Sequence, residues 1–204
     1  MRLYVATHNL HKLREIGEIL PSFEILADDP DGVEETAPDF VGNAVIKLRA
    51  IAARHPDDWC MADDSGLEVF ALDGAPGVRS ARYSEGDPDY AVTASVTRSD
   101  QNNRKLLAAL AGVADRRAQF TCAIALRGPD GREHVAVGHA PGCIAERASG
   151  AAGFGYDPLF IPDGYARSFA ELTADEKNAI SHRGRALAAA RQIISGASAP
   201  ESQE

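Results

Sequence analysis

The stretch ADDSGL, residues 62–67, brings two carboxylates and a hydroxyl together just before a glycine. Asp63 and Asp64 repel each other unless water or a shared positive partner offsets their charge, and Mg²⁺ is a cation that takes one or two protein carboxylates. The runs 59–62 and 67–70 have the apolar character of strands, which predicts two strand pieces with the acids at a bend between them. The alternative is a solvated surface turn of the Asx type.

A polar loop near the N-terminus, THNLHK at residues 7–12, is a candidate for binding an anion. A strand is predicted before it and a helix after it, and the N–H groups at the start of a helix favour negative charge. Lys12 adds a full positive charge. The phosphate-binding motifs G-x-x-x-x-G-K-[ST] and G-x-G-x-x-G are absent from the sequence. The alternative is that Thr7 or Asn9 only caps the helix.

Two further acids, Glu34 and Glu35, lie in the acidic loop 28–39. Taken alone, such a loop is solvated charge. Beside Asp64, however, one of these glutamates would supply the second carboxylate for Mg²⁺, which leaves its remaining positions to water and substrate phosphates.

The segment SGAAGFGYDP, residues 149–158, is rich in glycine around one aromatic residue. Glycines let a backbone come close to a ligand, and an exposed Phe154 ring could stack on the face of a nucleobase. The alternative is a glycine-rich turn in which Phe154 is simply buried.

The segment EKNAISHRGRAL carries three cationic or titratable side chains, Lys177, His182 and Arg183. On one continuous helix, Lys177 and Ser181 would share a face while the next two residues rotate away. A break near Ser181 or Gly184 is therefore needed to bring them together. The alternative is that these cations only complement the helix dipole.

Hydrophobic periodicity along the rest of the chain alternates between strand and helix patterns. Strands are predicted at 2–6, 23–26, 118–126, 133–140 and 142–147, with a turn at 130–131. Helices are predicted at 12–20, 40–54 and 89–111, with a helix pair or one broken helix at 171–194. Interleaved strands and helices indicate an α/β fold with a mixed central β-sheet flanked by helices.

The size and net charge of the chain limit the functions that it can have. A chain of 204 residues with 45% hydrophobic content fits a single domain, 1–195, followed by a flexible polar tail, 196–204. The net charge of −9 weighs against nucleic acid as a partner, because such binding needs Lys and Arg on phosphates. Three scattered cysteines suit a reducing compartment, and no signal peptide or membrane span is evident. We therefore expect a cytoplasmic protein without a membrane partner.

The candidate segments occur in one characteristic order: THNLHK, EET followed by FVGNAVIK, ADDSGL, GAPGVRSARY, GFGYDPLF and ELTADEKNAISHRG. Together they resemble the family of XTP/dITP diphosphatases, the inosine triphosphate pyrophosphatase-like enzymes. The similarity runs from about residue 3 to residue 190, and ADDSGL, GFGYDP and the SHR segment are specific to that family.

The resemblance implies hydrolysis of non-standard purine nucleoside triphosphates, namely dITP, ITP and XTP, to the monophosphate and pyrophosphate, which cleanses the nucleotide pool. It also implies two lobes with the nucleotide in a central cleft, Mg²⁺ dependence and a homodimer. Asp64 would be the proton acceptor and a metal ligand, with Glu34 the first choice and Glu35 the second for a further ligand. The residues implied to bind substrate are Thr7, His8, Asn9, Leu10, His11, Lys12, Lys47, Ser65, Phe154, Gly155, Tyr156, Asp157, Lys177, His182 and Arg183.

The sequence departs from the family pattern in two places. His8 stands where many members have glycine, and the segment 84–103 is longer than in typical members. Two other functions stay open at this point: a Mg²⁺-dependent pyrophosphatase of modified pyrimidine nucleotides, and a nucleotide-binding module without turnover.

Overall fold

The computed structural model describes residues 1–28 and 32–197 and is built around a six-stranded sheet. The strands are β1 (Arg2–Val5), β2 (Glu24–Ala27), β3 (Trp59–Val69), β4 (Arg117–Arg127), β5 (Glu133–Ile144) and β6 (Phe160–Pro162). The helices are α1 (Leu10–Ile19), α2 (Phe40–Ala52), α3 (Arg98–Ala109), α4 (Ala174–Ile180) and α5 (His182–Ala197).

The sheet has the strand order β2-β1-β3-β4-β5-β6. Strand β1 pairs in parallel with both β2 and β3, whereas β5 and β6 pair antiparallel. A mixed sheet with helices in the connections confirms the predicted α/β class. The predicted turn at Asp130 and Gly131 joins β4 to β5, and Gly131 has the positive φ of 79° that such a turn favours in glycine.

The chain forms two compact units. The first contains Met1–Asp64, Cys122–Gly138 and the chain from His182 on, and the second contains Ser65–Thr121 and His139–Ser181. The boundaries between them fall inside β3, β4 and β5 and between α4 and α5.

The first unit has its own hydrophobic core, made by one face of its strands together with α1 and α5. Helix α1 begins where Asn9 caps it, with the Asn9 side chain accepting a hydrogen bond from the N–H of His11 at 2.9 Å. This confirms one of the two capping residues that the sequence offered. The core residues include Leu3, Val5, Ile16, Leu20, Met61, Ile124, Leu126, Leu187 and Ile194.

The second unit has a separate core with three aromatic rings in contact. Ring centroids lie 4.8 Å apart for Phe120 and Phe160, and 5.0 Å apart for Phe160 and Phe169. Leu106 of α3 and Leu110, the residue that caps the end of this helix, pack into the same cluster. This helix begins at Arg98 rather than at the predicted residue 89, because Thr97 and Asp100 form a capping box that starts it there.

Two predicted strand boundaries were wrong. Residues 59–69 form one continuous strand, so the acids of ADDSGL lie in the middle of β3 and not at an exposed bend. Asp63 and Asp64 are only 1% and 8% exposed. Both carboxylates have cationic partners, which makes a buried strand position possible for them. The separate strand predicted at 142–147 is partly the end of β5, which continues to Ile144.

The helical segment after residue 171 is the predicted pair and not one helix. Helix α4 ends at Ile180, Ser181 has extended backbone angles, and α5 starts at His182. The predicted tail begins inside α5, which ends at Ala197, and its residues 198–204 lie outside the described residues. Among the helices of residues 1–28 and 32–197, none combines the length and the hydropathy needed to cross a membrane.

Candidate active site

Asp63 joins two cationic side chains that are far apart in the sequence. Lys12 Nζ lies 3.0 Å from Asp63 Oδ1, and Arg183 Nη2 lies 3.3 Å from Asp63 Oδ2. The Arg183 guanidinium also contacts the carboxylate of Glu15. The network fixes Lys12 on α1 and Arg183 on α5 against β3, so two of the predicted substrate-binding cations are brought together in the first unit.

The charge state of Asp63 follows from these contacts. Burial alone would raise the pKa of its carboxyl, but the charges of Lys12, Arg183 and Lys47 outweigh burial and hold that pKa well below its ordinary value. Asp63 is therefore ionised at neutral pH and engaged as a structural anion. A carboxylate held in this state is a poor proton acceptor.

Asp64 has a different set of partners from Asp63. Its Oδ1 lies 3.2 Å from Lys47 Nζ, and its Oδ2 accepts a hydrogen bond from Asn43 Nδ2 at 3.3 Å. Both partners belong to α2, whereas the partners of Asp63 belong to α1 and α5. Neighbouring side chains of a strand point to opposite faces, which explains why the two adjacent acids have different partners.

The Lys47 ammonium group also lies 2.7 Å from Oε1 of Glu35, so one cation bridges two carboxylates. Burial raises the pKa of Asp64, and the Glu35 carboxylate raises it further, while Lys47 and Lys12 offset only part of that rise. Burial would lower the pKa of Lys47, but Asp64, Asp63 and Glu35 raise it overall, so Lys47 is charged. Asp64 is thus the more basic of the two adjacent aspartates.

The pair formed by Asp64 and Glu35 fits a hard divalent cation. Their oxygens come from different segments and already share one cation, Lys47, and oxygen donors are those that Mg²⁺ prefers. Within the described part of the chain, no group of three or more His, Cys, Asp or Glu side chains could hold a metal. Two protein carboxylates suffice for Mg²⁺ when substrate phosphates and water complete its coordination.

The contacts of the two glutamates run against the predicted order of preference, in which Glu34 came first and Glu35 second. Glu35 is half-buried and contacts Lys47, whereas Glu34 is exposed and forms no ion pair or hydrogen bond within residues 1–28 and 32–197. The geometry therefore places the second choice, Glu35, beside Asp64.

The loop between β1 and α1 contains the other N-terminal candidates. Thr7 is buried and its hydroxyl accepts a hydrogen bond from Asn9 N at 3.1 Å, which shapes the loop before the capping residue. His8, Leu10 and His11 are exposed, and Leu10 is 77% exposed although it is apolar. The helix N-terminus that follows presents its N–H groups at this loop.

The first turn of α5 approaches β5 very closely. A Cβ atom added at Gly138 would lie 2.2 Å from the carbonyl oxygen of His182 and 2.5 Å from Ala186 N. Only glycine therefore allows α5 to lie this close, with His182 and Arg183 in its first turn. Both side chains are buried.

In the second unit, Asp157 organises the GFGYD segment. Its Oδ2 accepts a hydrogen bond from Phe154 N at 2.7 Å and forms an ion pair with Lys177 Nζ at 2.8 Å. Lys177 Nζ also lies 4.9 Å from the centroid of the half-buried Phe154 ring. Gly155 has φ of 63°, a conformation that favours glycine. The structure thus brings together the predicted residues Phe154 to Asp157 and Lys177.

Ser65, the remaining candidate, is a half-buried residue of β3 in the second unit.

The sequence analysis did not identify two residues of the site, Asn43 and Glu15. Asn43 stands four residues before Lys47, so both lie on one face of α2, and this spacing could have identified it. Glu15 carries no such signal, because its partner Arg183 is 168 residues away.

Comparison with known proteins shows similarity to one family in a sequence profile, in curated relatives and in a solved structure. A sequence profile described as the Ham1 family matches residues 3–193. A curated protein of Frankia alni named dITP/XTP pyrophosphatase is 48% identical over 194 residues, covering 92% of this chain and 94% of that protein. One of Treponema denticola with the same name is 39% identical, covering 96% and 100%. The solved structure of the Staphylococcus aureus Ham1 protein is 36% identical with a TM-score of 0.81, covering 97% and 100%.

Proposed function

Since the chain belongs to the Ham1 family, we propose that it is a nucleoside triphosphate pyrophosphatase acting on dITP, ITP and XTP. The products are the nucleoside monophosphate and pyrophosphate. The observation that carries the chemistry is the buried Asp64, whose pKa is raised and which shares Lys47 with a second carboxylate.

The proposed reaction is attack of water on the α-phosphorus, with pyrophosphate as the leaving group. Phosphoryl transfer depends mainly on positioning and on neutralising charge. Mg²⁺, when held by Asp64 and Glu35, would supply part of that neutralisation, as magnesium does in other nucleotide-hydrolysing sites. Lys12 and Lys47 supply positive charge from the chain itself, and the Lys47 ammonium is already in contact with both carboxylates.

Asp64 is the proposed proton acceptor, because a carboxylate with a raised pKa takes a proton more readily than its neighbour. Its Oδ2 is oriented by Asn43, while its Oδ1 contacts Lys47. Asp63 does not fill this role, since Lys12 and Arg183 stabilise its ionised form. Its proposed role is to hold those two cations for the phosphates.

The substrate-binding residues are proposed in two groups. In the first unit these are Thr7, His8, Asn9, Leu10, His11, Lys12, Lys47, His182 and Arg183, and in the second unit Ser65, Phe154, Gly155, Tyr156, Asp157 and Lys177. The Phe154 ring would stack on the base. A donor aimed at the C6 oxygen selects inosine and xanthine, because the amino group of adenine would leave two donors facing each other.

Three further properties belong to this proposal. We expect dependence on Mg²⁺, a homodimer, and a cytoplasmic location without nucleic acid or membrane partners. The fit of Asp64 and Glu35 to a hard cation supports the first, and the net charge of −9 supports the absence of nucleic acid.

A panel of triphosphates tests the function, with phosphate and pyrophosphate measured separately in the presence of Mg²⁺. The panel contains dITP, ITP, XTP, dGTP, dATP, dTTP and 5-methyl-UTP. Fastest release of pyrophosphate from dITP, ITP or XTP supports the proposal. Preference for dTTP or 5-methyl-UTP would identify a pyrimidine nucleotide pyrophosphatase, and binding without turnover would identify a nucleotide-binding module.

A further inference from the structure

Helix α3 donates two hydrogen bonds to one carbonyl group of the GFGYD segment. Ser99 Oγ donates to the carbonyl oxygen of Gly155 at 3.1 Å, and Asn103 Nδ2 donates to the same oxygen at 3.0 Å. Ser99 and Asn103 are four residues apart, so they lie on one face of α3. Neither residue belongs to the motifs that suggested the function.

This double contact fixes a whole peptide group. A carbonyl oxygen has two lone pairs, so two donors occupy both. The peptide bond between Gly155 and Tyr156 is planar and trans, and the N–H of Tyr156 therefore points away from α3. That N–H makes no hydrogen bond to any residue in 1–28 or 32–197. It remains a donor with a fixed direction beside Phe154.

Helix α3 is itself fixed to the second unit. Asn102 Nδ2 donates to the carbonyl oxygens of Ser80 and Ala81, each at 3.1 Å, and its Oδ1 accepts from the N–H of Ser84 at 2.8 Å. The Tyr156 hydroxyl donates to the same Ser80 carbonyl at 3.0 Å. The helix and the GFGYD segment thus share one backbone anchor, which limits their movement relative to each other.

The segment 84–103, one of the two places where the sequence was expected to depart from the family pattern, leads directly into this arrangement. Its first residue, Ser84, is bound by Asn102, and Lys105 forms an ion pair with Asp87 at 3.0 Å. Its last turns carry Ser99 and Asn103. The segment 84–103 is therefore attached to the helix that holds Gly155.

We propose that Ser99 and Asn103 are positioning residues that set the Gly155–Tyr156 peptide so that the Tyr156 N–H donates to the 6-oxo oxygen of the purine base. This inference rests on the proposed function. Neither side chain needs to touch the nucleotide. Their loss lets the peptide rotate, which weakens binding of the base without changing the groups that act on the phosphates.

The test is steady-state kinetics of full-length Ser99→Ala, Asn103→Ala and the double variant with dITP and with dATP. Loss of one neutral hydrogen bond predicts a KM for dITP about fivefold higher, and loss of both about tenfold or more. We expect kcat to change less than about threefold, and the ratio of kcat/KM for dITP over dATP to fall, because adenine has no 6-oxo acceptor.

Two further variants separate positioning from general damage. Ser99→Thr keeps the hydroxyl donor and is expected to retain the wild-type KM. Arg104→Ala removes an exposed side chain of α3 that donates a hydrogen bond to Gln101 at 3.1 Å, and it should leave KM unchanged. Melting temperatures of all variants show whether the fold is retained.

An unchanged KM and base ratio in the folded double variant would overturn the inference, and so would a fall in kcat alone. If the wild-type chain does not release pyrophosphate from dITP, the proposed function itself fails. If it does, but the double variant behaves like Arg104→Ala, only the positioning role fails.

Discussion

Lys47 Nζ lies 3.2 Å from Oδ1 of Asp64, and the same ammonium group lies 2.7 Å from Glu35. The cation thereby offsets the repulsion between two carboxylates that burial would otherwise make costly. In the proposed reaction, a divalent ion would take the place of the Lys47 ammonium between these carboxylates, and Lys47 would contact a phosphate oxygen instead.

Replacement of Asp64 by Asn tests the proposed proton acceptor. Because the amide cannot accept the proton at neutral pH and has no charge for the metal, we expect kcat for dITP to fall at least about 100-fold. Pyrophosphate release measures this, and circular dichroism checks the fold. As a control, Asp115→Asn alters an exposed carboxylate in the second unit. If Asp64→Asn keeps more than about a tenth of the activity, the activation free energy has risen by less than ~1.4 kcal/mol. Asp64 would then not be the proton acceptor.

Glu35→Gln and Glu34→Gln form a matched pair for the metal site. Because Glu35 contacts Lys47 beside Asp64 and Glu34 is exposed, we expect only Glu35→Gln to raise the Mg²⁺ concentration for half-maximal activity, by about tenfold or more. The measurement is a Mg²⁺ titration at saturating dITP. A larger shift for Glu34→Gln would restore the first choice made from the family resemblance.

Asp63→Asn tests the buried ion network. The change leaves Lys12 and Arg183 without their shared carboxylate, and we expect a loss of about 3–5 kcal/mol of unfolding free energy at pH 7. Urea unfolding measures this. A loss below about 1 kcal/mol would mean that the pairs contribute no more than surface ion pairs.

The same network predicts a direction of pH dependence. The folded-state pKa of Asp63 lies below its unfolded value, so its contribution is fully present above the unfolded pKa of about 3.9 and is lost as pH falls through the folded pKa. The unfolding free energy of the wild type should therefore fall between about pH 5 and pH 2 more steeply than that of Asp63→Asn. Equal slopes for the two proteins would contradict this account.

Gly138→Ala tests the close approach of α5 to β5. The added methyl group would overlap the His182 carbonyl, and overpacking of this kind costs about 1–3 kcal/mol. Because the first turn of α5 carries Arg183, its displacement should also lower activity, by up to about 100-fold for a shift of ~1 Å. Melting temperature and dITP turnover check both effects.

Gly17→Ala is the control for that variant. Gly17 lies in α1, and a methyl group there would meet only Ile25 Cγ1 at 3.8 Å. Alanine favours helix, so we expect a gain of about 0.5–1 kcal/mol and unchanged activity. If both variants lose activity equally, the contact at Gly138 is not responsible.

The sequence predicted those features that depend on local patterns. The strand, loop and helix around Asn9, the turn at Gly131 and the helix break at Ser181 are each specified by a few neighbouring residues. The sequence also indicated that Asp63 and Asp64 need water or a positive partner, because adjacent carboxylates repel each other, but it did not identify Lys12, Lys47 or Arg183 as those partners. The family resemblance then linked segments whose spatial relation no local pattern gives.

The errors arose where tertiary contacts override local signals. The Asp63–Asp64 pair looked like an exposed bend, yet Lys12 and Arg183 stabilise it inside a continuous strand. The role of Ser99 could not be predicted, since its acceptor is the Gly155 carbonyl 56 residues later. A backbone carbonyl can accept a hydrogen bond whatever its side chain is. The residues around Gly155 therefore give no indication that Ser99 binds there.

The first unit is assembled from three separate stretches of the chain, and its ion network joins residues 12, 63 and 183. During translation, Asp63 and Lys12 leave the ribosome well before Arg183 exists. The ion network and the hydrophobic core of the first unit are therefore incomplete until the last stretch, with Arg183 and α5, has been synthesised. A chain that stops before residue 182 would lack Arg183 and α5, and would leave apolar surface of the first unit exposed to aggregation.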